Sequence, residues 1–113
     1  MKAAYVDHDY PVYASPDLLI AALEKRGVEV CARQFLDEMY FPHEPTLDSF
    51  PVLLYHPGIT EQHFIRGLRE KRPNLSIAII TGPIFSGEYG DQEVPIFDYI
   101  DVNRIVDFIR ENQ

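Results

Sequence analysis

The chain has 113 residues, 46% of them apolar, which suits one domain with a real core and excludes a disordered chain. Its net charge of −8 argues against a surface for nucleic acid or an anionic membrane, since both need a basic face. The single cysteine, Cys31, excludes an internal disulfide, and no apolar run approaches the roughly 20 residues that span a bilayer.

In chain order, Lys2-Ala3-Ala4-Tyr5-Val6 reads as a buried first strand with a polar end, Asp7-His8-Asp9. Tyr10 to Ala14 is a loop. Ser15-Pro16-Asp17 signals a helix start: Ser as N-cap, Pro at the first helical position, an acid in the first turn. Leu19, Ala22 and Leu23 form its inner face with Ile20 beside them, and Gly27 suits its C-terminal end. Val28-Glu29-Val30-Cys31 is a second strand, in which Cys31 is expected to be a buried, inert thiol.

Phe35, Leu36, Met39 and Tyr40 have helical spacing, but Pro42 and Pro45 forbid a long helix, so a short or distorted one is expected. Val52-Leu53-Leu54 is a third strand, with Pro51 near its start. It leads through Tyr55-His56 to a turn at Pro57-Gly58 and a helix from Thr60. That helix turns Phe64, Ile65 and Leu68 inward and Arg66, Arg69, Glu70 and Lys71 outward. Gly67 inside it costs about 1 kcal/mol against Ala, unless something packs closely there. Leu75 to Ile80 is a fourth strand, stopping at Thr81-Gly82. Strand, turn, helix and strand make a βαβ unit, hence a parallel sheet with a right-handed crossover.

From Gly82 to Val94 no helical period is convincing, so a loop or one loose turn is expected. Pro95 to Ile100 is a fifth strand. Asp101 caps a last helix with Val102, Ile105, Val106 and Ile109 inward and Phe108 flanking. The pattern gives one domain over residues 1–113: an α/β, doubly wound, five-stranded parallel sheet with helices on both faces. Sites in such sheets lie at the carboxyl ends of the strands, here at Tyr55-His56 and Thr81.

Over essentially its whole length the chain resembles the receiver domain of response regulators. The likeness is strongest from His56-Pro57-Gly58-Ile59-Thr60, through the helix ending Lys71-Arg72-Pro73, to the strand ending Thr81-Gly82. It implies a flavodoxin-like fold of strand order 2-1-3-4-5, here with the fourth helix short or replaced by a loop. Receivers accept a phosphoryl group on an Asp at the end of the third strand. Mg²⁺ is held there by that Asp and an acidic pair on the first strand, while a Thr or Ser and a Lys contact the phosphoryl oxygens.

That pattern is broken. A gapless match puts Leu53 at the acceptor position, and a loop two residues shorter puts Tyr55 there; neither is a carboxylate. The acidic pair becomes Asp7-His8, with Asp9 next. Thr81 stands at the family's Thr, and Tyr99 at its switch aromatic on the fifth strand. Ile100 leads directly to Asp101, so the Lys is lost. Asp7, His8, Asp9, Leu53, Tyr55 and Thr81 therefore read as a degenerate phosphorylation site, and the chain as a pseudo-receiver with no catalytic residue.

Each polar residue also has a plainer reading. Asp7 and Asp9 could hold a cation, or be solvated or capping groups at a strand end. With no third carboxylate nearby, no metal or other cofactor is expected; the candidates would be Mg²⁺ on Asp7 and Asp9, or a transition metal on Asp7, His8, Asp9 and His56. His8 and His56 should be neighbours, but none of the four histidines has metal-ligand spacing. Thr81 is a remnant of the switch or a hydroxyl closing a strand; Tyr99 is a moving aromatic or an amphipathic residue at the sheet edge. The expected function is non-catalytic signalling in a two-component-type pathway, through protein contacts in the cytoplasm. The family's docking face maps to residues 82–113, giving Phe85, Tyr89, Tyr99, Asp101, Arg104 and Phe108 as interface residues and a homodimer as the assembly. No direct nucleic-acid or membrane contact is expected. The alternative is Mg²⁺-dependent phosphoryl acceptance, or phosphatase chemistry like that of haloacid dehalogenases, whose Asp-x-Asp Asp7 and Asp9 would supply.

Overall fold

A computed structural model of the chain describes residues 1–7, 14–33, 49–56, 64–82 and 94–113. Its elements are β1 (Lys2–Asp7), α1 (Ala14–Lys25), β2 (Glu29–Arg33), β3 (Val52–His56), α2 (Phe64–Lys71), β4 (Ser76–Thr81), β5 (Ile96–Asp98) and α3 (Val102–Glu111). All four strand pairings are parallel, and the order is β2-β1-β3-β4-β5. This is the expected flavodoxin-like sheet.

Burial on both faces explains why β1, β3 and β4 are near-continuous apolar runs. Side-chain alternation divides the core in two. Ala3, Tyr5, Val52, Leu54, Ala78, Ile80 and Phe97 lie under α1 and α3, which add Leu19, Leu23, Ile105, Val106 and Ile109. Ala4, Val6, Leu53, Tyr55, Ile77 and Ile79 lie under α2, which adds Ile65 and Leu68. Full burial of each large aliphatic side chain contributes about 1.5–3 kcal/mol, so both layers are needed to hold the sheet.

Helix ends follow local chemistry. Gly27 has φ +85° and closes α1. Its amide donates to the Glu24 carbonyl at 3.1 Å, and the Val28 amide donates to Leu23 at 3.1 Å. This is the Schellman arrangement, and its two apolar members, Val28 and Leu23, are buried together. Pro51 precedes β3, where its missing donor costs nothing, and its carbonyl accepts from Ser76 at 3.0 Å. At the amino edge of the sheet, the Gln113 side chain accepts from the Lys2 amide at 2.8 Å and donates to the Lys2 carbonyl at 3.1 Å. Ser76 donates to Asn112 Oδ1 beside it at 2.9 Å.

Several expectations need correction. Helix α1 starts at Ala14, so Ser15 lies inside it. Strand β5 is three residues long, and Tyr99-Ile100 form a turn. Asp101 precedes α3 but makes no side-chain cap; its Oδ2 accepts from the Asp98 amide at 3.3 Å instead. Cys31 is half-buried. A Cβ at Gly67 would meet nothing within 4 Å, so close packing does not explain that glycine. The expected short helix around Phe35–Tyr40, the Pro57-Gly58 turn, the Thr60 helix start and the replacement of a fourth helix fall outside the described residues. No described helix is long and apolar enough to cross a membrane.

Candidate functional site

Strand β1 ends on Asp7, which pairs in register with His56 at the end of β3. The period of two puts Asp7 on the same face as Tyr5, under α1 and α3. Asp7 is fully buried, at 0% exposure. Its Oδ2 accepts from the Tyr5 hydroxyl at 2.8 Å and from the Tyr99 hydroxyl at 2.7 Å.

Tyr99 starts from the far side of the sheet. From β5 to β1 is three strand spacings, roughly 14 Å, and the turn after β5 aims the side chain inward. That turn is fixed by its acids. Asp98 Oδ1 accepts from the Ile100 amide at 3.1 Å, the Asp98 carbonyl accepts from the Asp101 amide at 3.0 Å, and Asp101 Oδ2 accepts from the Asp98 amide. His56 lies beside Tyr99. Its ring centroid is 5.9 Å from that of Tyr99, tilted by 53°. Its Nδ1 lies 2.8 Å from the Ile80 carbonyl, which can only accept, so that nitrogen carries the proton and donates.

Among the described residues, Tyr5, Asp7, His56 and Tyr99 thus gather at the carboxyl edge on one face of the sheet. Two donors occupy the lone pairs of Oδ2, and hydrogen bonds to an ionised group are the strong kind. Both bonds fall on Oδ2, so that oxygen is spent on the tyrosines and not offered to a hard cation. The described residues do not fit Mg²⁺: Asp7 is the sole carboxylate that ends β1 or β3, and no three metal-ligating side chains gather anywhere among them.

The sheet separates the remaining candidates from Asp7. Leu53 lies mid-strand opposite Ala4 and Ile77, three residues short of the edge that an acceptor must occupy. Tyr55 points the same way, into the core under α2. Thr81 ends β4, buried, and its Oγ1 has no hydrogen-bond partner among the described residues. His8 and Asp9 fall outside the described residues.

Of the expected interface residues, Tyr99 is one residue beyond β5 and spends its hydroxyl inside the molecule. Phe108 is half-buried and meets Phe97 edge-on at 5.8 Å. Arg104 is exposed, 3.7 Å from Asp101 and 5.3 Å above the Phe97 ring. Phe85 and Tyr89 fall outside the described residues. Sequence reasoning missed Tyr5 as a partner of Asp7, although the i, i+2 spacing on one strand was a usable signal. It also missed Ile100, which is 83% exposed.

Comparison with solved structures finds the same architecture in a response regulator from Thermotoga maritima. The two chains superpose with a TM-score of 0.66 at 16% identity, covering 96% of this chain and 97% of that one. At that identity the likeness establishes the fold. No family model matches the chain, and no curated protein matches it. The chain has the flavodoxin-like fold of a response regulator, in strand order as well as in outline.

Proposed function

We propose that the chain is a pseudo-receiver: a non-catalytic signalling module of a two-component-type pathway that acts through protein contacts in the cytoplasm, without Mg²⁺ or another cofactor. The observation that carries this reading is Asp7 Oδ2, taken by Tyr5 and Tyr99 where a receiver needs an open acidic pair. The sequence adds that β3 ends in Tyr55-His56 and offers no acceptor carboxylate. Phosphoryl transfer needs a nucleophile, a cation and a positive group on the equatorial oxygens. In the sequence β3 ends without a carboxylate to serve as the nucleophile, and Ile100 leads to Asp101 where the family has its Lys.

In this reading the signalling surface is the β5–α3 turn and the outer side of α3. Ile100 is the exposed apolar residue there, flanked by Asp101 and Arg104. An apolar contact ringed by charges suits a protein partner, a second copy of the chain first among them. The test is an amide NMR titration with Mg²⁺ and then beryllofluoride. The expected result is no saturable shift at Asp7, Tyr55, His56 or Thr81. Saturable shifts at those amides would show a working acceptor site and end the reading. Sedimentation of Ile100→Asp against the unaltered chain tests the surface, because a dimer through this turn must weaken in the variant.

A further inference from the structure

The amino edge of the sheet, opposite Asp7, carries a charge the rest of the chain does not. Arg66, Arg69, Lys71 and Arg72 are four of the ten basic residues, gathered in a seven-residue stretch with one acid, Glu70. Everything outside that stretch holds six basic and seventeen acidic residues. Cations in the last turn of a helix stabilise its dipole, which accounts for Arg69 and Lys71. It does not account for Arg66, a turn further back. Arg66 and Lys71 are exposed and make no ion pair among the described residues, Glu70 included.

These residues border two open clefts that meet at Arg72, Pro73 and Leu75. One, of about 480 Å³, runs along Arg66, Arg69 and Glu70. The other, of about 520 Å³, runs along Lys71, Asn74 and Phe50. Arg72 is buried between them, with its amide on the Leu68 carbonyl at 2.8 Å. Half-buried Leu75 gives both clefts a shared apolar floor.

We infer that this double cleft docks a short, extended, acidic segment of a partner protein, with carboxylates on Arg66, Arg69 and Lys71 and an apolar side chain over Leu75. Guanidinium groups recognise carboxylates through paired hydrogen bonds, which fits an arginine-rich rim. The length limit follows from the charge of the remainder. A duplex or a membrane would bring the acidic surface within a Debye length, about 8 Å at physiological salt, and be repelled. A short segment stays over the basic stretch. This surface is separate from the β5–α3 turn, so the inference stands or falls independently of the function proposed above.

The test uses the full chain and a labelled peptide of alternating Glu and Leu. The peptide is expected to shift the amides of Arg66, Lys71, Asn74 and Leu75, to leave Tyr99 and Asp101 unmoved, and to lose affinity as salt rises. Arg66→Glu with Lys71→Glu should weaken it roughly tenfold or more at an unchanged unfolding midpoint. Arg66→Gln with Lys71→Gln should fall between. The inference is overturned by an absence of shifts at the cleft, by unchanged affinity in both variants, or by tighter binding of duplex DNA or phosphatidylserine vesicles at the same amides. Self-association that protects the cleft without peptide binding would also overturn it.

Discussion

Asp7 joins two parts of the chain that are distant in sequence. One of its oxygens ties β1 to the turn after β5, across β3 and β4. Asp7→Ala would strand two tyrosine hydroxyls around a hole, and a loss of about 3 kcal/mol is expected in urea unfolding, given about 1.5–3 kcal/mol for each bond to a charged group less some relaxation. Tyr5→Phe should cost more than Tyr99→Phe, because Tyr5 is fully buried and Tyr99 is partly exposed to water. The double variant should cost more than the two single losses together, because in each single variant the remaining hydroxyl tightens on Oδ2 and in the double none is left to do so. A strictly additive cycle would show that the two bonds do not share one acceptor in the way the geometry indicates. The sequence announced a polar end to β1, but the partners of Asp7 lie 2 and 92 positions away along the chain. Only the parallel register and the inward turn at Tyr99 bring the distant one into reach, and no local pattern encodes that.

Elements were legible where their pattern is periodic and their ends are chemically marked. The inward face of α3 was readable as Val102, Ile105, Val106 and Ile109, and the closure of α1 as Gly27. Strand β5 was overread by three residues, because Tyr99-Ile100 is as β-prone as a strand while its backbone is already held in a turn by Asp98 and Asp101. Two glycines make a matched test of backbone cost. A Cβ would find open space at both Gly27 and Gly67. Gly67→Ala is expected to stabilise by about 0.5–1 kcal/mol, since it removes unfolded-state freedom within a helix. Gly27→Ala should destabilise by about 1–2 kcal/mol, because φ +85° is the left-handed region that a side chain disfavours. If both shift stability in the same direction, the conformational account of one of them is wrong.

For the whole molecule, the sheet predicts its own hierarchy of opening. Strands β1, β3 and β4 are paired on both sides and covered on both faces; β2 and β5 are edges, and β2 is only half-buried. Amides of Val6 and Leu54 should exchange with solvent only through global unfolding, and those of β2 through smaller openings. Uniform exchange across all five strands would contradict that order. The doubly wound class and strand order could be read from alternating apolar runs and helical faces, since two-sided burial imposes that pattern. Which polar residues meet at the carboxyl edge could not, because the sheet itself decides which side each one takes: Asp7 to one face, Tyr55 and Thr81 to the other.

The paired bonds between the Gln113 side chain and the Lys2 backbone close a loop that the covalent chain leaves open. Met1 and Gln113 lie a few residues' reach apart, so a short flexible bridge could join them without disturbing β1 or α3. The polypeptide could then be cut instead at Pro73-Asn74, where both residues are exposed between α2 and β4. Such a permuted chain would start on β4, finish on α2 and keep every strand neighbour, separating the order in which the sheet is written from the order in which it is built.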